Sequence, residues 1–141
     1  MSRIFWDTHL FIYLLEGTGE TLKRTRGLLG RMRERNDQLL TSTLTLGEVL
    51  VKPLAAGERE WVRRFESFLD SPGVEMVPFD RDAARAYAGI RSDRTIKPPD
   101  AIQLACAASA GTDLFITNDE RLTRKNIPGV SFIVPLRRAY L

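Results

Sequence analysis

The stretch Lys97-Pro98-Pro99-Asp100-Ala101-Ile102-Gln103-Leu104-Ala105-Cys106-Ala107 decides how the rest of the chain is arranged. Proline is tolerated in the first turn of a helix but not in its interior, so the two prolines predict a helix that begins at about Pro99. Asp100 then lies in that first turn, where free N–H groups and the positive end of the helix dipole favour a carboxylate. The residues that follow are small and apolar, which allows the helix to pack closely on a sheet. Ala110-Gly111 predicts where the helix ends.

Two further acids are predicted to share an edge of a sheet with Asp100. A short apolar strand, Leu114-Phe115-Ile116-Thr117, leads directly into Asn118-Asp119. A turn from a strand into a helix lies at the carboxyl edge of a parallel sheet, where open α/β folds keep their sites. The N-terminus has the same order, with a strand over 3–6, then Asp7, then an apolar helix that closes near Gly17.

The rest of the chain alternates between helices and strands. We predict helices over 20–36, from Thr43 or Thr45 to 53–57, over 57–70, over 80–93 and over 120–124, and strands over 38–42, 74–79 and 130–134. This alternation is typical of an α/β fold, in which helices cover both faces of a parallel sheet and the crossovers are right-handed. No repeat, low-complexity tract or linker divides the chain, so we expect one domain over 1–141.

The composition predicts a soluble globular domain and excludes some kinds of site. With 43% hydrophobic and 28% charged residues, the chain is ordinary for a soluble globular domain. It has no apolar run long enough to cross a membrane and no cleavable signal pattern, so we expect a cytoplasmic protein without membrane contact. Its single cysteine, Cys106, excludes an internal disulfide and a thiolate metal cluster. The 21 Lys and Arg residues against 18 acids are compatible with a polyanionic partner.

Glu48 adds a fourth acid to the predicted edge. It lies about one turn into the helix after the second strand, so its side chain can point back towards the carboxyl ends of the strands. Carboxylates packed together repel one another unless a cation compensates them, and oxygen ligands of this kind suit Mg²⁺ or Mn²⁺. Such ions activate water and stabilise charge on a phosphate. We therefore predict a metal site of Asp7, Glu48 and Asp100, in which Asp119 completes the ligand set or positions the attacking water.

Each acid also has a purely structural interpretation. Asp7 and Asp119 can be ordinary helix caps, Asp100 can be a helix-start residue, and Glu48 can be a solvated helix charge. Convergence at one edge is the argument against these separate explanations. Asp113 provides a contrast, because it precedes its strand and therefore belongs at the opposite edge of the sheet.

Polar residues beside the acids are weaker candidates. Thr8, Thr117 and Asn118 are short polar groups suited to orienting a ligand or a water molecule, although turn and cap roles explain them equally simply. Arg94 and Lys97 precede Asp100 and are candidates for binding a phosphate backbone, with a solvated loop as the alternative.

An apolar stripe on the helix at 57–70 has two interpretations. Its members, Trp61, Val62, Phe65, Phe68 and Leu69, recur at the helical period and form the clearest amphipathic pattern in the chain. Either all five belong to the core, or part of the stripe forms an exposed apolar groove that binds a partner. In the second case the surrounding arginines would attract an acidic amphipathic segment; they are Arg31, Arg35, Arg59, Arg63 and Arg64.

As an ordered set, these motifs resemble a PIN domain, and within that family the VapC-type toxins of bacterial and archaeal toxin–antitoxin pairs. The resemblance rests on Asp7-Thr8, Glu48, Pro98-Pro99-Asp100-Ala101 and Thr117-Asn118-Asp119, in the family's order and over nearly the whole chain. It implies a Rossmann-like three-layer fold with about five parallel strands, a Mg²⁺ or Mn²⁺ site, endoribonuclease activity, a homodimer and inhibition by a small antitoxin protein. It places the family's acidic quartet on Asp7, Glu48, Asp100 and Asp119, and its supporting threonine on Thr117.

The predicted function is therefore metal-dependent hydrolysis of RNA by an endoribonuclease that acts as the toxin of such a pair. The alternative is a PIN-like module that binds RNA or a partner protein without cutting. A receiver-type signalling domain fits poorly, because it needs an acidic pair after the first strand and here Trp6 precedes Asp7.

Overall fold

Five parallel strands form the centre of the protein, and the computed structural model describes residues 1–141. The strands are β1 (Arg3–Trp6), β2 (Gln38–Ser42), β3 (Val74–Val77), β4 (Thr112–Thr117) and β5 (Val130–Pro135). The helices are α1 (Thr8–Glu16), α2 (Gly19–Glu34), α3 (Thr43–Ala56), α4 (Arg59–Leu69), α5 (Arg81–Ile90) and α6 (Pro98–Ala110). None of these helices combines the length and apolar character needed to span a membrane.

The strand order places β1 at the middle of the sheet. The order is β3-β2-β1-β4-β5, and Phe5 in β1 is in register with Leu40 on one side and Phe115 on the other. The chain builds the sheet outwards from β1 in one direction and later returns to its other side, so the order reverses between β1 and β4. In open α/β sheets, ligands bind at the carboxyl ends of the strands beside such a reversal.

Successive residues of the central strands contribute to two separate cores. On one face, α5 and α6 cover Phe5 and Phe115, whose rings stack with their centroids 5.1 Å apart. On the other face, helices α1 to α4 cover Trp6, which packs against Phe11 with 5.4 Å between ring centroids. The predicted α/β fold, with a five-stranded parallel sheet between two helical layers, is confirmed.

Helix α6 packs on the sheet through its small residues. Ala101, Ala105 and Cys106 are fully buried, which shows that short side chains allow this helix to approach the strands closely. The helix begins at Pro98 and ends before Gly111, whose φ of 71° lies in the left-handed region that favours glycine. Burial raises the pKa of the Cys106 thiol to about 11, so this cysteine is a small core residue and not a nucleophile.

Several predicted boundaries are wrong by a few residues. Strand β3 ends at Val77 because Pro78 has no N–H to donate to a ladder. Helix α5 ends at Ile90, and the chain continues through turns instead of reaching Asp93. The predicted helix over 120–124 is a single 3₁₀ turn at Leu122–Arg124.

The apolar stripe of α4 belongs mainly to the core. Phe65 and Leu69 are buried, and Trp61 and Phe68 pack, partly buried, against the same cluster of side chains. The core interpretation is therefore right for these four residues. Val62, the fifth member of the stripe, is half-buried and lines a cleft together with Leu54 of α3, which is 63% exposed.

Candidate functional site

The carboxyl edge of the sheet brings the four predicted acids into one region. Asp7 follows β1 directly, and its side chain caps α1 by accepting a hydrogen bond from the His9 N–H at 3.2 Å. Asp119 lies two residues after β4, and Asp100 lies in the first turn of α6. Glu48 lies in the second turn of α3, the helix that follows β2. Four separate segments therefore each contribute one carboxylate.

Thr117 links two of these segments. Its buried hydroxyl donates to Asp7 Oδ2 at 2.5 Å and accepts a hydrogen bond from the Asp119 backbone N–H at 3.0 Å. The contact follows from strand pairing, because β4 lies beside β1 with Ile116 in register with Trp6. Thr117 thereby holds the Asp7 carboxylate and the Asp119 turn together.

Thr8 holds the fourth acid through a buried network of hydrogen bonds. Its hydroxyl donates to Glu48 Oε1 at 2.5 Å and accepts a hydrogen bond from Gln103 Nε2 at 3.0 Å. The same nitrogen donates to Thr45 Oγ1 at 2.8 Å, and the Ser42 hydroxyl donates to Gln103 Oε1. With both its nitrogen and its oxygen engaged, the Gln103 amide ties α6 to β2, α1 and α3 beneath the acids.

Sequence reasoning missed Gln103. The available signal was its polarity, because it is the only polar residue between Ala101 and Ala108 on a helix predicted to face the sheet. A buried amide needs partners for its N–H groups and its oxygen, so a network around it was predictable in principle. The identity of its partners was not predictable, because they lie 58 to 95 positions away along the chain.

Two of the carboxylates lie in a setting that disfavours their charge. Burial raises the pKa of Asp7 to about 6; the Thr117 hydrogen bond opposes this shift, and the Asp100 charge adds to it. Burial also raises the pKa of Asp100; the negative charges of Asp119 and Glu48 raise it further, and the positive charges of Arg121 and Lys97 oppose the shift. Neither Asp7 nor Asp100 forms an ion pair with a cationic side chain. The protein thus leaves negative charge at this edge that a bound cation would stabilise.

Asp119 differs, because a neighbouring arginine neutralises it. Arg121 donates to Asp119 Oδ1 from its backbone N–H at 3.0 Å and from Nε at 3.1 Å, and to Oδ2 from a terminal nitrogen at 2.9 Å. Chiefly through the side-chain hydrogen bonds, this guanidinium lowers the pKa of Asp119. Arg121 is a second site residue that sequence reasoning missed, although its position two residues after Asp119 was visible in the sequence.

The donor set suits a hard divalent cation, but the acids are not gathered into a preformed cage. All four are carboxylates, the oxygen ligands that Mg²⁺ and Mn²⁺ prefer. No three His, Cys, Asp or Glu side chains are placed closely enough to share one metal ion. Glu48 is engaged by Thr8, and Asp119 is engaged by Arg121. A cation that used all four acids would therefore require Asp119 to leave its arginine.

A cleft of about 370 Å³ opens beside Asp100 and Asp119. Its other walls are formed by Thr95, Glu120, Arg121, Leu122, Arg124 and Lys125. A slightly larger cleft, of about 420 Å³, lies between α5 and residues 125–128, away from all four acids. The smaller cleft adjoins the carboxylates, and its lining includes three cationic side chains, Arg121, Arg124 and Lys125.

The remaining predicted residues differ in their relation to the acids. The positive charge of Lys97 contributes to lowering the pKa of Asp119, which places Lys97 near the site. Arg94 is exposed, makes no side-chain hydrogen bond or ion pair, and does not line the cleft. Asn118 is exposed as well and makes no side-chain hydrogen bond. Asp113 does not precede its strand, since β4 begins at Thr112, but it lies at the amino end of that strand, the opposite edge of the sheet, where it accepts a hydrogen bond from the Arg3 backbone N–H at 2.8 Å.

Comparison with solved structures identifies toxin–antitoxin complexes with the same fold. VapBC2 from Rickettsia felis, bound to a DNA fragment from their promoter, is 16% identical with a TM-score of 0.75, over 94% of this chain and 98% of that chain. A toxin–antitoxin complex from Klebsiella pneumoniae is 24% identical with a TM-score of 0.66, over 90% of this chain and 94% of that chain. VapBC-5 from Mycobacterium tuberculosis is 24% identical with a TM-score of 0.63, over 96% of this chain and 99% of that chain. At these identities the likeness shows a shared fold.

Comparison of the sequence itself gives the family. No curated protein matches the chain. The sequence profile of the PIN domain matches residues 4–128, a range that contains Asp7, Glu48, Asp100 and Asp119. Since that match spans most of the sequence and all four acids, the chain belongs to the PIN domain family.

Proposed function

We propose that the protein is a Mg²⁺- or Mn²⁺-dependent endoribonuclease that hydrolyses RNA at the carboxyl edge of its sheet. The observation that carries the proposal is the pair of acids without an ion-pair partner, Asp7 and Asp100, beside the reversal in strand order. Acids buried without a cationic partner are unfavourable for the metal-free fold, so their presence together calls for a ligand that neutralises them. Membership of the PIN domain family supports a nuclease.

In this proposal the acids and threonines have separate roles. Asp7, Glu48 and Asp100 hold the cation directly or through water, and Asp119 completes the ligand set or positions the attacking water. A bound cation supplies Lewis acidity, which activates water and stabilises charge on the phosphate. Thr117 and Thr8 orient the first two carboxylates through their hydrogen bonds. Because water attacks in place of the RNA 2′-hydroxyl, the products should carry a 5′-phosphate and a 3′-hydroxyl.

The RNA backbone has basic partners next to the acids. Lys97 lies near Asp100 and Asp119, and the arginines of the adjoining cleft continue the positive surface. Binding to these groups should weaken as salt rises, because each phosphate contact releases counterions. We expect Lys97→Ala to weaken RNA binding more than Arg94→Ala, since of the two only the charge of Lys97 acts on Asp100 and Asp119.

A cleavage assay tests the activity. Purified protein should cleave RNA when Mg²⁺ or Mn²⁺ is present and stop when EDTA is added. Asp100→Asn should abolish cleavage, while Asp113→Asn, the same change at the opposite edge, should cleave normally. Cleavage that persists in EDTA, or products that carry a 2′,3′-cyclic phosphate, would contradict the proposal and indicate attack by the RNA itself.

We further propose that the protein is the toxin of a toxin–antitoxin pair and is inhibited by a small antitoxin. The shared fold with three toxin–antitoxin complexes supports this role. A cleft of about 380 Å³ between α3 and α4 provides a surface for such a partner; its lining includes the apolar Leu54 and Val62, two arginines, Arg59 and Arg63, and one acid, Glu58. Apolar side chains beside an excess of positive charge suit an acidic amphipathic segment. Homodimer formation is proposed on the family resemblance alone.

Charge reversal tests the partner surface. The double substitution Arg59→Glu and Arg63→Glu should weaken binding of a co-expressed antitoxin and leave RNA cleavage intact, because the α3–α4 cleft is separate from the acids. Arg26→Glu on α2, an exposed arginine without an ion pair, is the matched control. Antitoxin binding that the double substitution leaves unchanged would exclude this cleft.

One observation favours the alternative of a PIN-like module that binds RNA without cutting it. Asp119 is neutralised by Arg121, and no three acids are gathered around a common point. A binding module of this kind would show salt-dependent RNA affinity, unaffected by EDTA, and no cleavage with either metal ion. The cleavage assay therefore separates the two functions directly.

A further inference from the structure

We propose that Arg121 is an exchangeable partner of Asp119. In the metal-free protein its guanidinium holds the Asp119 carboxylate; when a divalent cation takes that carboxylate, the guanidinium is released to bind an RNA phosphate in the adjoining cleft. The inference rests on the proposed function and adds to it a residue that couples cation binding to substrate binding. Arg121 would then act as a positioning residue for Asp119 in one state and as a substrate contact in the other.

The contact between the two side chains is specific but easily broken. The guanidinium engages both oxygens of the carboxylate, at 3.1 Å and 2.9 Å, in the two-point geometry that arginine also uses for phosphate. Both partners are accessible to solvent, with the Arg121 side chain 71% exposed and that of Asp119 26% exposed. Ion pairs in such positions contribute little to stability, so a divalent cation can displace the arginine.

The pair competes with cation binding. Asp119 Oδ1 already accepts two hydrogen bonds from Arg121, and Oδ2 accepts a third. The positive charge beside Asp119 also reduces the attraction that a cation would feel at this carboxylate. Asp100, which faces the same cleft, has no arginine in contact. Asp119 is therefore the acid whose availability depends on another residue.

The cleft beside the acids offers the released guanidinium a second partner. Arg121 and Arg124 both line it, and Arg124 forms no ion pair. Lys125 is already held, because its ammonium group donates to Asp93 at 2.9 Å and to Thr95 at 2.7 Å. A phosphate that enters the cleft would therefore meet Arg124 first, and would gain Arg121 only after that side chain leaves Asp119.

The first experiment measures Mg²⁺ binding by calorimetry. Arg121→Gln should bind Mg²⁺ about two- to fivefold more tightly than the wild type, the range set by an exposed ion pair. Arg124→Gln is the matched control, because it removes the same charge from the same cleft without touching Asp119, and its affinity should change less. Equal affinity for Arg121→Gln and the wild type, or equal gains in the two variants, would overturn the proposal.

The second experiment measures RNA binding in EDTA, with a short single-stranded oligouridylate as the probe. Asp119→Asn frees Arg121 without a metal ion and should tighten binding about two- to fivefold. That gain should disappear in the double variant Asp119→Asn/Arg121→Gln, since coupled residues give non-additive effects. Asp100→Asn removes the same negative charge beside the cleft, but Asp100 acts on Arg121 only through its charge and not through a hydrogen bond, so its effect should depend on Arg121 much less than that of Asp119→Asn. Additive effects of Asp119→Asn and Arg121→Gln would overturn the release of Arg121 to phosphate.

These experiments also separate the exchange from the proposed function. Wild-type protein that binds no Mg²⁺ contradicts the endoribonuclease proposal and the exchange together. Wild-type protein that binds Mg²⁺ and cleaves RNA, but shows no coupling between Asp119 and Arg121, overturns the exchange alone.

Discussion

The acids at the two edges of the sheet differ in whether the protein supplies them with cationic or hydrogen-bonding partners. At the amino edge, the Arg3 guanidinium holds both oxygens of Glu75 at 3.2 Å and 2.8 Å, while the Arg3 backbone N–H donates to Asp113. The buried Asp37 carboxylate accepts a hydrogen bond from the Ser2 N–H at 2.8 Å and lies 3.1 Å from the Arg35 guanidinium. Each acid at this edge has a partner within the protein.

At the carboxyl edge the two central acids lack such partners. Asp7 accepts hydrogen bonds from the Thr117 hydroxyl and the His9 backbone N–H, whereas the Asp100 side chain accepts none. Burial raises the pKa of both acids. Only Asp119 has an arginine, and that pair is exposed. The two edges therefore differ in one respect: only at the carboxyl edge does the fold bring acids together without an ion-pair partner for each of them.

The largest expected difference between the edges is in catalysis. Asp7→Asn, Asp100→Asn or Asp119→Asn should each reduce RNA cleavage by at least about a hundredfold, since changes outside the ligand set alone cost about 10- to 100-fold. Glu75→Gln and Asp113→Asn at the amino edge should leave the cleavage rate per folded molecule unchanged. An Asp7→Asn protein that cuts at the wild-type rate would remove Asp7 from the site.

The next difference is in the pH dependence of stability. The pKa of Asp7 rises from 3.8 to about 6 on folding, so the unfolded chain ionises first as the pH increases. Asp7 therefore lowers the free energy of unfolding between about pH 4 and pH 6, and this loss is complete above that range. Asp7→Asn, which keeps a cap for α1, should make the metal-free protein more stable at pH 7 by up to about 3 kcal/mol, at about 1.4 kcal/mol per pKa unit.

Urea unfolding at several pH values, in EDTA, measures this effect. The gain from Asp7→Asn should shrink as the pH falls towards 4. A variant that is less stable than the wild type at every pH would show that Asp7 serves only as a cap and that its charge is well tolerated.

At the amino edge the opposite effect is expected. Arg3 also donates to the carbonyl oxygens of Gly111 at 2.9 Å and Ala110 at 3.1 Å, so it joins β1 to the end of α6. Arg3→Met should lower the free energy of unfolding by about 1 kcal/mol, because it removes the partner of these groups and of Glu75, and water replaces part of what is lost at this partly exposed position. Thermal unfolding in EDTA checks this, with Arg26→Met as the exposed control, and unchanged stability would contradict a structural role for this edge.

The smallest effect concerns the network beneath the acids. Thr8→Val removes the hydroxyl between Gln103 and Glu48 while keeping the shape of the side chain. Cleavage should fall by about tenfold, the lower end of the range for a contact behind a metal ligand. Thr8→Ser keeps the hydroxyl and should cleave within about twofold of the wild type, by the same argument. Equal losses in the two variants would indicate that packing, not the hydrogen bond, is what matters.

Local patterns were sufficient to predict the fold and the positions of the four acids at one edge of the sheet, while their role as a metal site stays a prediction. Asp7 and Asp119 follow strands directly, Asp100 follows two prolines, and each of these signals lies within a few residues. Because parallel strands share one carboxyl edge, the positions of the acids followed from the alternation of strands and helices. Thr117 and Thr8 could be named as supporting residues for the same reason, since each is adjacent or nearly adjacent to an acid.

Contacts between distant segments were not predictable in the same way. Gln103 lies 95 positions from Thr8, and Arg3 lies 72 positions from Glu75. The stripe of α4 had two possible environments, and it is the packing of α4 on α3 and β3, with Phe11 of α1 against Phe68, that makes Phe65 and Leu69 core. Arg121 is local to Asp119, but whether an arginine there points to solvent or folds back on the carboxylate depends on the conformation of the turn.

The most direct test of a cation site at the carboxyl edge is the thermal shift that Mg²⁺ produces in the wild type, Asp100→Asn and Asp113→Asn. If the carboxyl edge alone binds a divalent cation, Mg²⁺ should raise the melting temperature of the wild type and of Asp113→Asn, since a ligand that binds only the folded state stabilises it. Asp100→Asn should lose most of that shift, while its melting temperature in EDTA should equal or exceed that of the wild type. A wild type that does not respond to Mg²⁺, or equal shifts in all three proteins, would contradict a divalent-cation site at the carboxyl edge.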